Sequence, residues 1–137
     1  MVKVLVVDDS LMMRTTIKDI VSSDPELSVV GTANNGEEAL EVAKKLTPDV
    51  ILLDIEMPVL NGIDCLKRLK LLSRAKVIIV TSLKEDDPKV QEARRLGVLG
   101  VVCKPSGAMS LDLKSKKGHE IVGMTRRAAG LGASYGS

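Results

Sequence analysis

The sequence predicts a doubly wound α/β domain, a five-stranded parallel sheet flanked by five helices. Three observations carry this expectation. Short apolar runs rich in Val, Ile and Leu alternate with longer stretches of helical periodicity, at about 25 residues per unit. Most of those runs lack polar alternation, the pattern of strands buried on both faces. Capping and turn residues punctuate the junctions, and strand-helix-strand repetition of this kind implies right-handed crossovers with helices on both sheet faces.

The first strand is expected at Val4–Val7. Ser10 then caps a helix that runs to about Ser23 and stops at Asp24-Pro25. Leu27–Val30 forms the second strand; Asn35, with Glu38 three residues on, opens a second helix that ends near Leu46, before Pro48. Val50–Leu53 is the third strand, and Ile63, Leu66 and Leu69 lay an apolar stripe along a third helix. After a fourth strand at Val77–Val80, Asp87-Pro88 pairs an N-cap with a proline at the first helical position, and Gly97 closes that helix. Leu99–Cys103 is the fifth strand. A fifth helix is expected over much of Leu111–Arg127, weakened by Gly118 and Gly123. The last ten residues, from Ala128, read as a flexible tail or the start of a linker, which leaves residues 1–127 as one domain.

Composition narrows the function classes. The chain has 137 residues, 45% apolar and 28% charged, enough to bury a core without disulfides or metals. It contains no Trp and no Phe, and its single Tyr is Tyr135, so platforms for stacking bases, flavins or sugar rings are excluded. Two cysteines, Cys65 and Cys103, without metal-ligand spacing point to a reducing compartment. Met1–Val7 lacks the apolar core of a signal peptide and no apolar run is long enough to span a bilayer, so a cytoplasmic, soluble protein is expected. The net charge of +2 is unevenly placed: residues 1–62 carry 5 basic and 11 acidic side chains, residues 63–137 carry 15 and 7. A solvated surface explains this, and so does an acidic site with a basic partner face.

Four of the apolar strands stop at polar groups: Asp8-Asp9 after the first, Asp54 after the third, Thr81-Ser82 after the fourth and Lys104-Pro105 after the fifth. Parallel strands share a direction, so these groups gather along the carboxyl edge, where open α/β sheets bind ligands. One acid at a strand end simply marks the return to solvent. Acid, acid, hydroxyl and amine on four strand ends of one sheet do not arise that way. Three carboxylates at one edge repel one another and call for a cation. All-oxygen ligation suits a hard divalent ion, Mg²⁺, whose retained waters leave room for a phosphoryl group. Lys104 would then neutralise developing charge, the Thr81 hydroxyl would donate to a phosphoryl oxygen, and one carboxylate would serve as nucleophile.

These residues resemble the response-regulator receiver family in Val-Val-Asp-Asp-Ser at 6–10, Asp-Ile-Glu-Met-Pro-Val-Leu-Asn-Gly at 54–62, Val-Thr-Ser at 80–82 and Cys-Lys-Pro-Ser-Gly at 103–107. The resemblance covers residues 2–127 and implies a flavodoxin-like strand order, 2-1-3-4-5. It makes Asp54 the acceptor of a phosphoryl group from a sensor histidine kinase. Asp9, Asp54 and the backbone carbonyl of Glu56 would bind Mg²⁺ directly and Asp8 through water; Thr81 and Lys104 take the roles argued above. The Glu56 side chain either tunes hydrolysis of the acyl phosphate or is a plain solvent-exposed acid.

Within the family the sequence is similar to the receiver of the chemotaxis protein-glutamate methylesterase, in residues 23–33, 54–58 and 104–112. That likeness implies a chemotaxis kinase as phosphodonor and a methylesterase catalytic domain, absent from these 137 residues, as partner; a free-standing regulator is the alternative. A monomer is expected. Gly132-Ala133-Ser134-Tyr135-Gly136 matches the G-x-S-x-G nucleophile elbow but lacks the following helix, so the chain itself is not expected to be an esterase. His119 reads as a surface residue.

Three other classes fit less well. A haloacid-dehalogenase-like phosphohydrolase wants D-x-D after the first strand, where this chain has adjacent Asp8-Asp9, and a flavin binder wants a hydroxyl- and glycine-rich loop where Ser10-Leu11-Met12-Met13 stands. No nucleic acid is expected, since Arg94-Arg95 and Arg126-Arg127 suit a protein partner equally and no separate reading domain exists. The departure from the family that matters most is Val101, a stiff β-branched residue where relatives usually carry an aromatic three residues before the lysine. Phosphorylation is therefore expected to move the loop after Thr81 and the adjoining helix through packing or backbone shifts, without an aromatic flip.

Overall fold

The computed structural model describes residues 1–105 and 110–132. Ten elements alternate without exception: β1 (Val2–Val7), α1 (Leu11–Ser22), β2 (Leu27–Ala33), α2 (Gly36–Leu46), β3 (Val50–Leu53), α3 (Gly62–Leu72), β4 (Lys76–Thr81), α4 (Pro88–Arg95), β5 (Gly100–Cys103) and α5 (Ser110–Ala128). All strand pairs are parallel, in the order β2-β1-β3-β4-β5. The doubly wound sheet and the 2-1-3-4-5 order are both observed.

The apolar strands feed two cores, one on each face. Leu5, Val7, Ile51, Leu53 and Ile79 point toward α2, α3 and α4, where Ala39, Leu66, Leu69 and Val90 complete one cluster. Val4, Val6, Leu52, Ile78 and Val102 point the other way, against Ile17 and Ile20 of α1 and Leu113 and Ile121 of α5. Alternate residues of β1 and β3 thus serve opposite layers, which is why their sequences show no polar alternation.

Boundaries follow local chemistry. Ser10 Oγ accepts from Met13 N at 3.2 Å, Asn35 Oδ1 from Glu38 N at 2.9 Å, and Asp87 Oδ1 from Lys89 N at 2.8 Å, each satisfying an orphan N–H of a first helical turn. Asn61 caps α3 in the same way, accepting from Asp64 N at 3.0 Å, a cap the apolar stripe alone does not reveal. Gly97 follows α4 with φ +89°, the left-handed conformation that ends helices cheaply only at glycine. β2 runs three residues past its apolar stretch, because Gly31, Thr32 and Ala33 pair with Leu5, Val6 and Val7 across a register shift at Val4/Leu5. β5 starts at Gly100, leaving Leu99 46% exposed.

α5 passes through Gly118 without interruption, helped by packing on α1, where Ile20 Cγ2 lies 4.0 Å from the space a Gly118 Cβ would fill. Past residue 127, Ala128, Ala129 and Leu131 still pack against the α1/α5 core. Buried Arg126 draws this end of α5 onto the turn between α1 and β2, with Nη1 2.8 Å from Asp24 Oδ2 and 3.1 Å from Glu26 Oε1. The Ser-Gly end of the 103–107 motif and, after Gly132, the G-x-S-x-G stretch with Tyr135 lie outside the described residues.

Gly62, at the start of α3, is required by space. A Cβ there would sit 2.2 Å from Asp54 O and 2.5 Å from Ile55 Cα, so α3 can lie against the end of β3 only without a side chain at this position. Gly62→Ala is expected to destabilise the fold by about 1–3 kcal/mol, the usual cost of overpacking, as a lowered urea midpoint followed by far-UV circular dichroism.

Candidate functional site

The sheet delivers its strand ends to one place. Val7 pairs with Leu53, so Asp8 and Asp54 emerge side by side from β1 and β3; Thr81 pairs with Cys103, so the hydroxyl at the end of β4 lies beside the residue that precedes Lys104. Asp8, Asp54, Thr81 and Lys104 are buried, whereas Asp9 is exposed. One carboxylate oxygen from each of Asp8, Asp9 and Asp54 lies within 4.8 Å of the others.

Lys104 crosses to the acidic side of this cluster. Its Nζ is 2.6 Å from Asp8 Oδ2 and 3.5 Å from Asp54 Oδ2, a pairing between residues 96 positions apart in sequence. The other oxygen of Asp8 accepts from Ser10 N at 2.9 Å, and Asp54 Oδ1 is 3.4 Å from Glu56 N. Three carboxylates facing one ammonium leave an excess of negative charge. At Asp54 burial dominates, pushing its carboxyl up to about 6; the Lys104 ammonium and the Glu56 N–H oppose this, and repulsion from Asp8 and Asp9 adds to it.

The structure brings together Asp8, Asp9, Asp54 and Lys104, with Thr81 at the adjoining strand end. It separates the Glu56 side chain from them: that carboxylate is half exposed and lies 3.4 Å from Lys89 Nζ on α4, so only the backbone of Glu56 remains near the acidic cluster. His119 is exposed on α5. Two supporting contacts have no counterpart in the motifs. Arg14 Nη1 donates to the Asp8 carbonyl at 2.7 Å and so fixes the peptide that leads into Asp9. Thr81 Oγ1 accepts from Leu83 N at 3.2 Å, tying the hydroxyl to its own loop. A helix cation and a backbone amide carry no signal in the sequence that would have assigned them these roles.

The donor set is all oxygen, two of its three carboxylates are buried, and its charge is only partly met by Lys104. These residues fit a hard, partly hydrated divalent cation. Among the described residues no helix is long and apolar enough to cross a membrane.

Comparison with known proteins agrees with this geometry. The family model for the response regulator receiver domain matches residues 4–115. A protein-glutamate methylesterase/protein-glutamine glutaminase of Halalkalibacterium halodurans is 52% identical over 114 residues, covering 82% of this chain and 33% of the relative. The chain therefore spans about a third of the length of the curated relatives it matches. Among solved structures, the response regulator domain of Thermotoga maritima CheB superposes with a TM-score of 0.88 at 44% identity, covering 95% of this chain and 97% of that one. A chain from the complex of the CheA3 P1 domain with CheY6 of R. sphaeroides superposes at 0.66 with 43% identity, covering 79% and 85%. With the family model over most of the chain, the shared fold, and acids, hydroxyl and lysine on the strand ends where the motifs require them, this chain belongs to the response regulator receiver domain family.

Proposed function

We propose that this chain is the phosphoacceptor module of a chemotaxis two-component pathway, the receiver portion of a protein-glutamate methylesterase, and that Asp54 accepts the phosphoryl group. One observation carries the reading: a buried carboxylate with an ammonium 3.5 Å away, in a three-carboxylate cluster at the carboxyl edge of the sheet. The curated relatives that match most of this chain are named protein-glutamate methylesterase/protein-glutamine glutaminase, and the R. sphaeroides CheY6 structure is a complex with the P1 domain of CheA3. These support a sensor histidine kinase as donor and a methylesterase catalytic domain as the regulated partner, in the cytoplasm. Residues 1–127 form the receiver, with the segment from Ala128 leading onward after Ala129 and Leu131 have packed.

In this reading an Asp54 carboxylate oxygen attacks phosphorus and forms the P–O bond of an acyl phosphate. The P–N bond to the donor imidazole breaks, and that nitrogen keeps the electron pair and is protonated. Lys104 offsets charge on the phosphoryl oxygens, and the Thr81 hydroxyl donates to one of them. Mg²⁺ would be held directly by Asp9, Asp54 and the backbone carbonyl of Glu56 and through water by Asp8, and when bound supplies further neutralisation of phosphoryl charge. Arg14 and Ser10 hold the Asp8-Asp9 turn that presents two of those carboxylates.

Incubation with radiolabelled acetyl phosphate and Mg²⁺ should label the wild type. Asp54→Asn should abolish labelling, and Lys104→Met should slow it by about 10²-fold, as for loss of one electrostatic donor. Full labelling of the asparagine variant would remove Asp54 from the acceptor role.

The raised Asp54 carboxyl has a stability consequence. Because its folded value, about 6, lies above the unfolded 3.8, the folded state binds more protons between those values, and stability falls as pH rises through that window. Without divalent cations, Asp54→Asn should therefore be more stable than wild type at pH 7.5 by ~1–3 kcal/mol, the advantage shrinking toward pH 4. Thermal midpoints of the two proteins across this range test it; a gap independent of pH contradicts the raised carboxyl. Added Mg²⁺ should raise the wild-type midpoint at pH 7.5 and leave the variant nearly unchanged.

A further inference from the structure

Thr81 and α4 are joined by a residue that no motif marks. The loop that leaves Thr81 is held at both ends. At its start, Thr81 Oγ1 accepts from Leu83 N at 3.2 Å. Two residues later the Glu85 carboxylate turns back to β5, where Cys103 Sγ donates to Oε2 at 3.4 Å. Cys103 is the register partner of Thr81 and the neighbour of Lys104, so residues 81–85 form a closed circuit on the site's own strand ends. The same carboxylate binds α4: Arg94 Nε donates to Oε1 at 2.8 Å, Nη2 reaches the same oxygen, and Gln91 Nε2 donates to the Glu85 carbonyl at 2.7 Å. The Arg94 guanidinium holds the Glu85 carboxyl below the usual carboxylate range, so the clamp is charged at neutral pH.

α4 is suited to being held this way. It has eight residues and buries only Val90 and Ala93. Its other charged link to the acceptor edge is Lys89 to Glu56 at 3.4 Å. Val101 offers no moving aromatic, being 5% exposed and packed in the α2/α3/α4 core. In this geometry the Thr81 hydroxyl makes no hydrogen bond to Asp54 and serves its own loop. Turning toward a phosphoryl oxygen would draw Leu83 with it and pull Glu85 from Cys103 and Arg94.

We propose that Glu85 is a positioning residue that couples Thr81 to α4: its contacts with Arg94 and Cys103 hold the β4–α4 loop in the geometry where Thr81 is turned to Leu83, and their release frees α4 when the acceptor is occupied. This rests on Asp54 as phosphoacceptor. The clamp thereby opposes occupancy of the acceptor, and weakening it favours occupancy.

The test is calorimetric titration of the chain with beryllofluoride in Mg²⁺, an acyl-phosphate mimic, with thermal midpoints measured in parallel. Glu85→Ala and Arg94→Met should each bind about two- to fivefold more tightly than wild type, the range of one exposed ion pair, with midpoints lowered by no more than about 4 °C, because the clamp is lost from the unoccupied fold. The charge-swapped pair Glu85→Lys with Arg94→Glu should return to wild-type affinity, which a merely structural role would not produce. Equal or weaker binding by Glu85→Ala, or no restoration by the swap, overturns the coupling alone. Wild type that binds no beryllofluoride overturns the acceptor reading and the coupling together.

Discussion

The pairing of Lys104 with Asp8 at 2.6 Å, and more loosely with Asp54 at 3.5 Å, is the interaction on which the acceptor edge depends. Three carboxylates cannot be packed at one sheet edge, two of them buried, unless charge is returned to them. One lysine does this in part. Because it sits closer to Asp8, Asp54 keeps much of its desolvation cost and its carboxyl stays raised. A site balanced in this way is stable enough to fold, yet still has negative charge to share with a cation and, in the proposed reading, a nucleophile to offer a phosphoryl group.

Everything nearby serves to hold that balance in place. Register between β1 and β3 sets Asp8 beside Asp54, and Gly62 lets α3 lie directly on the end of β3, so the acceptor loop cannot drift. Arg14 and Ser10 fix the turn after β1, while Lys104 N bonds the Thr81 carbonyl at 2.7 Å and locks the last two strands together where their functional side chains begin. The two cores beneath contain no aromatic side chain among the described residues, which suits a chain with no Trp and no Phe. Rigidity at the edge comes from strand register and backbone bonds, and no large aromatic anchor is needed.

The uneven charge of the chain takes on structural meaning at this edge. The acidic half supplies Asp8, Asp9 and Asp54, and the basic half supplies Lys104. The same division recurs at Lys89 of α4, which reaches Glu56 on the loop after β3, whereas Arg94 pairs within the basic half with Glu85 on the loop after β4. A short helix with two buried residues, tied by exposed ion pairs, can shift at small energetic cost. That makes α4 a natural element to respond to a change of charge at Asp54.

The sequence by itself determined the alternation of elements, the caps at Ser10, Asn35 and Asp87, and the identity of each polar strand end, because these depend on local periodicity and on residues a few positions apart. Resemblance added strand order and the roles proposed for the matched positions. Tertiary structure decided the rest: the extension of β2 through its pairing with β1, the cap at Asn61, the turning of the Glu56 side chain to Lys89, the Glu85 clamp, and above all which carboxylate Lys104 approaches most closely. Those outcomes depend on burial and on distances of a few ångströms between residues up to 96 positions apart, where a small difference in separation or solvation changes the strength of an interaction between charges.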